Sequence, residues 1–287
     1  MAGNPLTLSR PLVAAYLNQL RKVGLSHVRL QPGWKEKLED IPDGEEGAGK
    51  ALKEVKPAEA VPEEPSRDIP AFSKANRPTD PEEALKELEA QVRADTRIRD
   101  PFQYARNLVF GTGNPQASIL FVGEAPGADE DEAGEPFVGK AGQLLTKMIE
   151  AMGLSRSEVY IANIVKYRPD MPPGSPGNRK PTPDEMKLCL PILLEQIDII
   201  QPEVMVTLGA TAVEGLFDIP RAGMTRLRGK WKTFRDIPVM PTFHPAYLLR
   251  EESFHEKRKV WEDLMEVMEK TGMPISEKQR NYFVRHL

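Results

Sequence analysis

The chain has 287 residues, 40% of them hydrophobic and 29% charged, with a formal net charge of −4. That is enough for one large α/β domain or two small ones with a sizeable core, and too acidic for nucleic-acid binding by bulk charge, although a local basic face stays open. One cysteine, Cys189, excludes an intramolecular disulfide and a cysteine-ligated zinc or iron–sulfur site within one chain. The start lacks a signal-peptide pattern and no apolar run approaches the roughly 20 residues that span a bilayer, so the chain reads as soluble and cytoplasmic, with no membrane contact.

Within residues 1–35, Leu12, Val13, Tyr16, Leu17, Leu20 and Val23 recur at helical spacing and stop at Gly24, which predicts one amphipathic helix. Residues 36–82 are dominated by Glu, Lys, Ala and Pro, with too few apolar side chains to offset the entropy of ordering, and read as a flexible tether. A helical pattern over 81–94 leads into a compact domain expected over 83–287. From Leu108 onward short apolar runs alternate with longer helical periods. Strands are predicted at 118–122, 159–165, 204–208 and 238–243, and helices over 139–152, 182–200 and 252–270. The helix at 182 carries its own start signal: Thr182 as N-cap, Pro183 at the first helical position and Glu185 three residues after the cap. The pattern predicts an α/β three-layer sandwich, a central four-stranded parallel sheet flanked by helices. Ligands of such sheets sit beyond the carboxyl ends of the strands. That edge receives residues 123–127, Asn163, residues 209–211 and His244-Pro245.

Gly123, Pro126 and Gly127 make a tight turn that brings backbone N–H groups near a ligand. The six acids between Glu124 and Glu135 are hostile to a phosphate, and neither a Walker nor a dinucleotide pattern is present. Most of these acids read as solvated. Glu124 stands apart, directly on the strand end. His244, in Thr-Phe-His-Pro-Ala-Tyr, is a structural hydrogen-bonder or a catalyst. His27, His255 and His286 form no cluster, which argues against a histidine metal site. A buried Asn163 amide must find partners, because an unsatisfied one costs about 1–3 kcal/mol. Those partners are the backbone or a flat polar ligand. Phe137 reads as core or as a stacking plate. Residues 221–235 hold six basic residues and no acid, with Trp231 and Phe234 interleaved. That is the composition of a phosphate-tracking face or of ordinary solvated surface.

Five motifs in order carry a resemblance to one family: Gly-Glu-Ala-Pro-Gly (123–127), Pro-Phe-Val-Gly-Lys-Ala-Gly-Gln-Leu-Leu (136–145), Tyr-Ile-Ala-Asn-Ile-Val-Lys (160–166), Gly-Asn-Arg-Lys-Pro-Thr-Pro (177–183) and His-Pro-Ala-Tyr-Leu-Leu-Arg (244–250). Over residues 108–270 the chain resembles the family 4 uracil-DNA glycosylases. The resemblance implies the fold of that superfamily and a base-excision repair enzyme that hydrolyses the N-glycosidic bond of deoxyuridine in DNA after flipping the base from the stack. It implies Phe137 stacking on uracil, the Asn163 amide reading its Watson–Crick edge, and backbone around Glu124 and Ala125 bonding the base. His244 would stabilise the departing uracil anion, and Glu124 would position or activate the attacking water. Leu248 or Leu249 would wedge into the gap left by the base. Arg250 and the basic segment, with Arg226, Arg228 and Lys230, would hold phosphates, and Thr207 and Gly209 would line the DNA face.

The chain departs from the family in two places. The family's four-iron four-sulfur cluster needs four cysteines; the matching positions here fall near Asp95 and Ile98 and at Tyr167, and only Cys189 remains. One thiolate cannot hold the cluster, so neither cluster nor other cofactor nor metal is expected, and Tyr167 packing is expected to replace the staple. Residues 168–177 are longer than the usual family loop. A related subclass has there a histidine that traps the abasic sugar, but this chain has none between His27 and His244. Two other readings are a silent DNA- or uracil-binding module and a glycosylase for another deaminated base such as hypoxanthine or xanthine. The expected partners are uracil-containing DNA, single- or double-stranded, and a repair or replication protein docking to the N-terminal helix. The protein is expected to be a monomer.

Overall fold

The computed structural model describes Phe72 and residues 77–171, 177–219, 221, 223–251 and 253–284. The helix expected within residues 1–35, most of the tether and the centre of the 168–177 loop lie outside the described residues. The compact unit runs over Arg67–Leu287. Phe72 packs on its core and Arg77 forms an ion pair with Glu195, so the end of the stretch read as a tether lies against this unit.

α1 (Pro81–Ala94) and the one-turn α2 (Thr96–Arg99) lead into β1 (Thr112–Gly113) and β2 (Ile119–Gly123). α3 (Ala128–Ala133) and α4 (Lys140–Met152) cross to β3 (Tyr160–Asn163). α5 (Pro183–Ile200), β4 (Val204–Leu208) and α6 (Ala210–Phe217) follow. After them come α7 (Met224–Leu227), β5 (Lys232–Phe234) and β6 (Ile237–Thr242). α8 (Pro245–Glu251), α9 (Phe254–Lys270) and α10 (Glu277–Arg280) complete the described chain. The start of α5 is the capping box read from the sequence: Thr182 Oγ1 accepts from the Glu185 N–H at 3.2 Å, and Glu185 Oε2 accepts from the Thr182 N–H at 2.7 Å.

The sheet runs β1-β3-β2-β4-β6-β5. Its four inner strands are parallel, as predicted. The two outer strands pair antiparallel and were not anticipated. β1 is too short to carry a period. β5 lies inside the segment read as a basic face, and its hairpin with β6 turns at Arg235 and Asp236, whose φ angles of 48° and 65° meet the demand of a two-residue primed turn without the glycine that usually announces one. Alternate side chains of each inner strand enter opposite core layers. Leu120, Val122, Ala162, Met205 and Val239 join α1 and α5 on one face, while Phe121, Ile161, Val206 and Met240 join α4 and α9 on the other. This is the three-layer sandwich expected.

Just past β3 the chain buries a lysine. Lys166 is fully enclosed, and its Nζ donates to the Asn163 carbonyl at 2.8 Å and to Gln196 Oε1 at 2.6 Å. Gln196 Nε2 in turn donates to the Phe110 carbonyl at 3.0 Å. This chain of bonds ties the end of β3 to α5. Burial pulls the Lys166 pKa down to about 7, against an ordinary value of 10.5. The folded state therefore binds fewer protons than the unfolded state above pH 7, so this group makes stability rise as the pH climbs from 7 toward 10.5. Urea denaturation is expected to give a gain of about 2 kcal/mol between pH 7 and pH 9 in the wild type relative to Lys166→Met. Parallel pH profiles for the two proteins would contradict it.

Candidate active site

A cleft of about 780 Å³ opens at the carboxyl ends of β2, β3, β4 and β6. Glu124, Asn163, Gly209 and His244, which end or follow those strands in order, all line it, so the four segments expected at that edge meet in one place. The cleft wall depends on a missing side chain. A Cβ on Gly123 would overlap Asn163 Oδ1 and come within 2.5 Å of the Phe137 ring. The glycine lets an amide from β3 and an aromatic from the following loop close on the same point.

Asn163 is 2% exposed, and its Oδ1 has no hydrogen-bond partner within the protein. The backbone alternative open at the level of sequence is thus not used by this atom, and a donor N–H on a ligand in the cleft would satisfy it. Phe137 is a core residue that also lines the cleft. It is buried in the layer with α4, and its ring stands 5.6 Å from that of His244 at an interplanar angle of 31°. Ala125 lies beside Glu124 on the wall.

His244 accepts a 3.1 Å bond at Nδ1 from the Ala246 N–H. With that nitrogen an acceptor, a neutral ring carries its proton on Nε2. Burial first, and the Arg250 charge second, push its pKa down to about 4. It is an uncharged donor at neutral pH. Glu124 is half-buried, and burial raises its carboxyl pKa; a hydrogen bond from the Thr211 hydroxyl and the Lys180 charge oppose the rise, while Glu214 adds to it. Lys180 is itself paired with Glu214. The site thus sets a carboxylate and a neutral imidazole at one strand edge, as general-base and oxyanion-type chemistry requires.

Two of the loop acids read as solvated are not. Asp131 is buried, and its Oδ1 accepts the Arg106 N–H at 2.8 Å and the Asn107 N–H at 3.1 Å. Glu130 accepts three backbone N–H bonds, from Gly127 at 3.0 Å, Val138 at 3.0 Å and Gly139 at 2.9 Å. They replace the missing side-chain caps of a glycine-bounded loop. Asp129, Glu132 and Glu135 are exposed as read.

The DNA-facing set divides. Leu249 is 42% exposed, whereas Leu248 is 3% exposed and packs with Phe243 and Trp261, so Leu248 is a core residue and only Leu249 is free to wedge. Arg250 is exposed on the cleft rim, and Arg226 and Lys230 are exposed nearby in sequence to α7. Arg228 is a correction: it forms an ion pair with the buried Asp263, which also accepts the Thr242 hydroxyl at 2.6 Å, and it donates to the Lys259 carbonyl at 2.6 Å. It ties α9 to the sheet and does not face solvent. Thr207 is fully buried, with Oγ1 unpartnered, and lines no DNA face. Thr211, Tyr247, Asn178 and Lys180 line the cleft without having been singled out. Their segments were in view, but spacing along the chain does not say which side chain turns inward.

The fold and site define a class: an α/β protein that can hold a flat polar ring between an aromatic plate, an orphan amide oxygen and a neutral histidine. A family model described as the uracil DNA glycosylase superfamily matches residues 110–265. The chain belongs to that superfamily. It is 47% identical over 161 residues to the Type-4 uracil-DNA glycosylase of Thermotoga maritima, a match covering 55% of this chain and 80% of that protein. The Type-4 uracil-DNA glycosylases of Sulfurisphaera tokodaii (45% over 170 residues; 56% and 73%) and Archaeoglobus fulgidus (43% over 170 residues; 54% and 81%) are similar over comparable lengths.

The cluster that the resemblance implies does not fit this chain. Asp95 caps α2 and pairs with Arg97. Ile98 and Cys189 are fully buried in the layer with α1 and α5, and Tyr167 stacks on Phe102 at 5.6 Å in the same layer. One thiol, its pKa pushed up to about 12 by burial although the nearby Lys166 opposes the rise, is fully enclosed. Among the described residues no group of three or more His, Cys, Asp and Glu side chains could hold a metal ion, and no helix is long and apolar enough to cross a membrane.

The His244 geometry predicts a ring nitrogen spectrum fixed in the Nε2–H tautomer from pH 5 to pH 8. Titration is expected only near pH 4, read by nitrogen-15 NMR of labelled protein. A midpoint near 6.5 would contradict the account.

Proposed function

We infer that the protein is a DNA glycosylase that hydrolyses the N-glycosidic bond of uracil in DNA, releasing free uracil and leaving an abasic site for base excision repair. The observation that carries this reading is the orphan Oδ1 of Asn163 beside the Phe137 plate and the neutral His244. Uracil offers an N–H at ring position 3 where cytosine offers a lone pair. An acceptor held there favours the first base and repels the second, because a buried polar group facing its own kind stays unsatisfied.

The target nucleotide must leave the stack to reach the cleft. Leu249, exposed on α8, suits the space it vacates. Phe137 stacks on the flipped base, the Asn163 amide bonds its polar edge, and backbone near Ala125 supports the same ring. As the glycosidic bond breaks, the pair of electrons stays with uracil and the sugar becomes cationic. The Nε2–H of His244 donates to the oxygen where the negative charge collects, a fixed donor already in place when that charge develops. Glu124, ionised, orients a water toward the sugar carbon and favours the cation by its charge. The water adds its oxygen to that carbon and gives a proton to the Glu124 carboxylate, and the uracil anion takes up one proton from solvent as it leaves. Arg250 at the rim and the exposed Arg226 and Lys230 supply phosphate contacts, which act on either strand form.

The reading includes action without an iron–sulfur cluster, supported by the apolar packing of Ile98, Tyr167 and Cys189. It also includes a monomer that works in the cytoplasm on the nucleoid, with the N-terminal segment as a docking arm for a repair or replication protein, supported by its apolar stripe and charged tether. The test is cleavage of an oligonucleotide with one uracil, read by alkaline scission, on protein whose iron and sulfide are assayed in the same preparation. Wild type is expected to cleave with no stoichiometric iron, and Glu124→Ala and His244→Ala to lose about 10²–10⁴-fold each. Cleavage only at hypoxanthine or xanthine would move the substrate. No cleavage from folded protein would leave a silent binding module.

A further inference from the structure

Phe137 stands in a backbone conformation that an aromatic side chain rarely adopts: its φ is 56°, in the left-handed region. Such a residue persists only where its surroundings over-determine it. Here the peptides on both sides are held. After it, the Val138 and Gly139 N–H groups donate to Glu130. Before and after it, Arg156 Nη2 donates to the Pro136 carbonyl at 2.8 Å and Nη1 to the Phe137 carbonyl at 3.1 Å, with Thr146 Oγ1 of α4 at 3.4 Å from the same Nη1. Behind them, Gly142 in the first turn of α4 leaves no room for a side chain, since a Cβ there would overlap the Phe137 carbonyl. Arg156 lies in the turn between α4 and β3, is half-buried, and does not line the cleft.

We propose that Arg156 is a positioning residue for the glycosylase reaction: its planar fork grips two consecutive carbonyls and thereby holds the Phe137 ring where a flipped base stacks. This rests on the function inferred above. Only arginine presents two parallel donors in a fixed plane; a lysine at 156 keeps the charge but is a single point donor. The fork acts through the backbone of its target, so its loss displaces the ring without removing any group that touches DNA. A displacement of about 1 Å at a site that must align a reacting base costs on the order of 10²-fold in rate.

The test joins two readouts on the full chain. In hydrogen exchange, Arg156→Met is expected to speed exchange over residues 136–140 while β2 and β4 keep wild-type protection. In kinetics, Arg156→Met is expected to lower kcat on the order of 10²-fold with KM for the uracil oligonucleotide nearly unchanged. Arg156→Lys should fall between the two. Because Arg156 acts through Phe137, the double variant with Phe137→Ala should be no slower than Phe137→Ala alone. Unchanged exchange over 136–140, or losses that multiply in the double variant, would overturn the proposal. If wild type releases no uracil, the functional reading falls, and the exchange experiment still decides whether Arg156 holds the loop.

Discussion

The space left empty at Gly123 is the constraint on which the site depends. β2 ends there, and the next strand and the next loop each send one group into the volume a side chain would fill: the Asn163 oxygen and the Phe137 ring. Each is separately anchored. Asn163 sits at the end of a strand whose exit is tied down by the enclosed Lys166 and Gln196, and Phe137 sits in a loop held by Glu130 and Arg156. The cleft wall is thus held largely from behind, by Lys166, Gln196 and Arg156, with Glu130 bracing the loop from the wall itself.

That rigidity explains how a poorly satisfied group survives. An amide oxygen buried without a partner is unfavourable by about 1–3 kcal/mol, and in an ordinary core it would rotate or draw in water. Here it lines the same cleft as a histidine whose proton sits on the nitrogen away from Ala246. Preorganisation of this kind spends folding stability on alignment, so that little needs to reorganise when charge develops. Glu124 is handled differently. It is half-buried but supplied with the Thr211 hydroxyl and the Lys180 charge, which offset part of the penalty that burial places on an ionised carboxylate.

Much of this was legible along the chain. The inner strands, the α5 cap and the edge where the site lies follow from period, capping residues and the topology of parallel sheets. Glu124, Phe137, Asn163 and His244 stood out because each breaks its local pattern: polar on a strand end, aromatic in a polar loop, amide in an apolar run. What was not legible depends on partners distant in sequence. Arg228 looked like part of a basic face until Asp263, 35 residues on, proved to hold it. Leu248 and Leu249 differ by one position, and only the packing of α8 on α4 and α9 buries one and exposes the other. Glu130 and Asp131 looked like solvated charge because their partners are backbone N–H groups, which leave no mark in a sequence. Arg156 had no signal for the same reason, since its two shortest bonds go to backbone carbonyls.

The most direct measurement is calorimetric titration of free uracil into wild type and Gly123→Ala, with a thermal melt of each. The account predicts that Gly123→Ala still melts cooperatively and no longer binds uracil measurably, because the added methyl group occupies the meeting point of Asn163 and Phe137. Equal uracil affinity in the two folded proteins would contradict it.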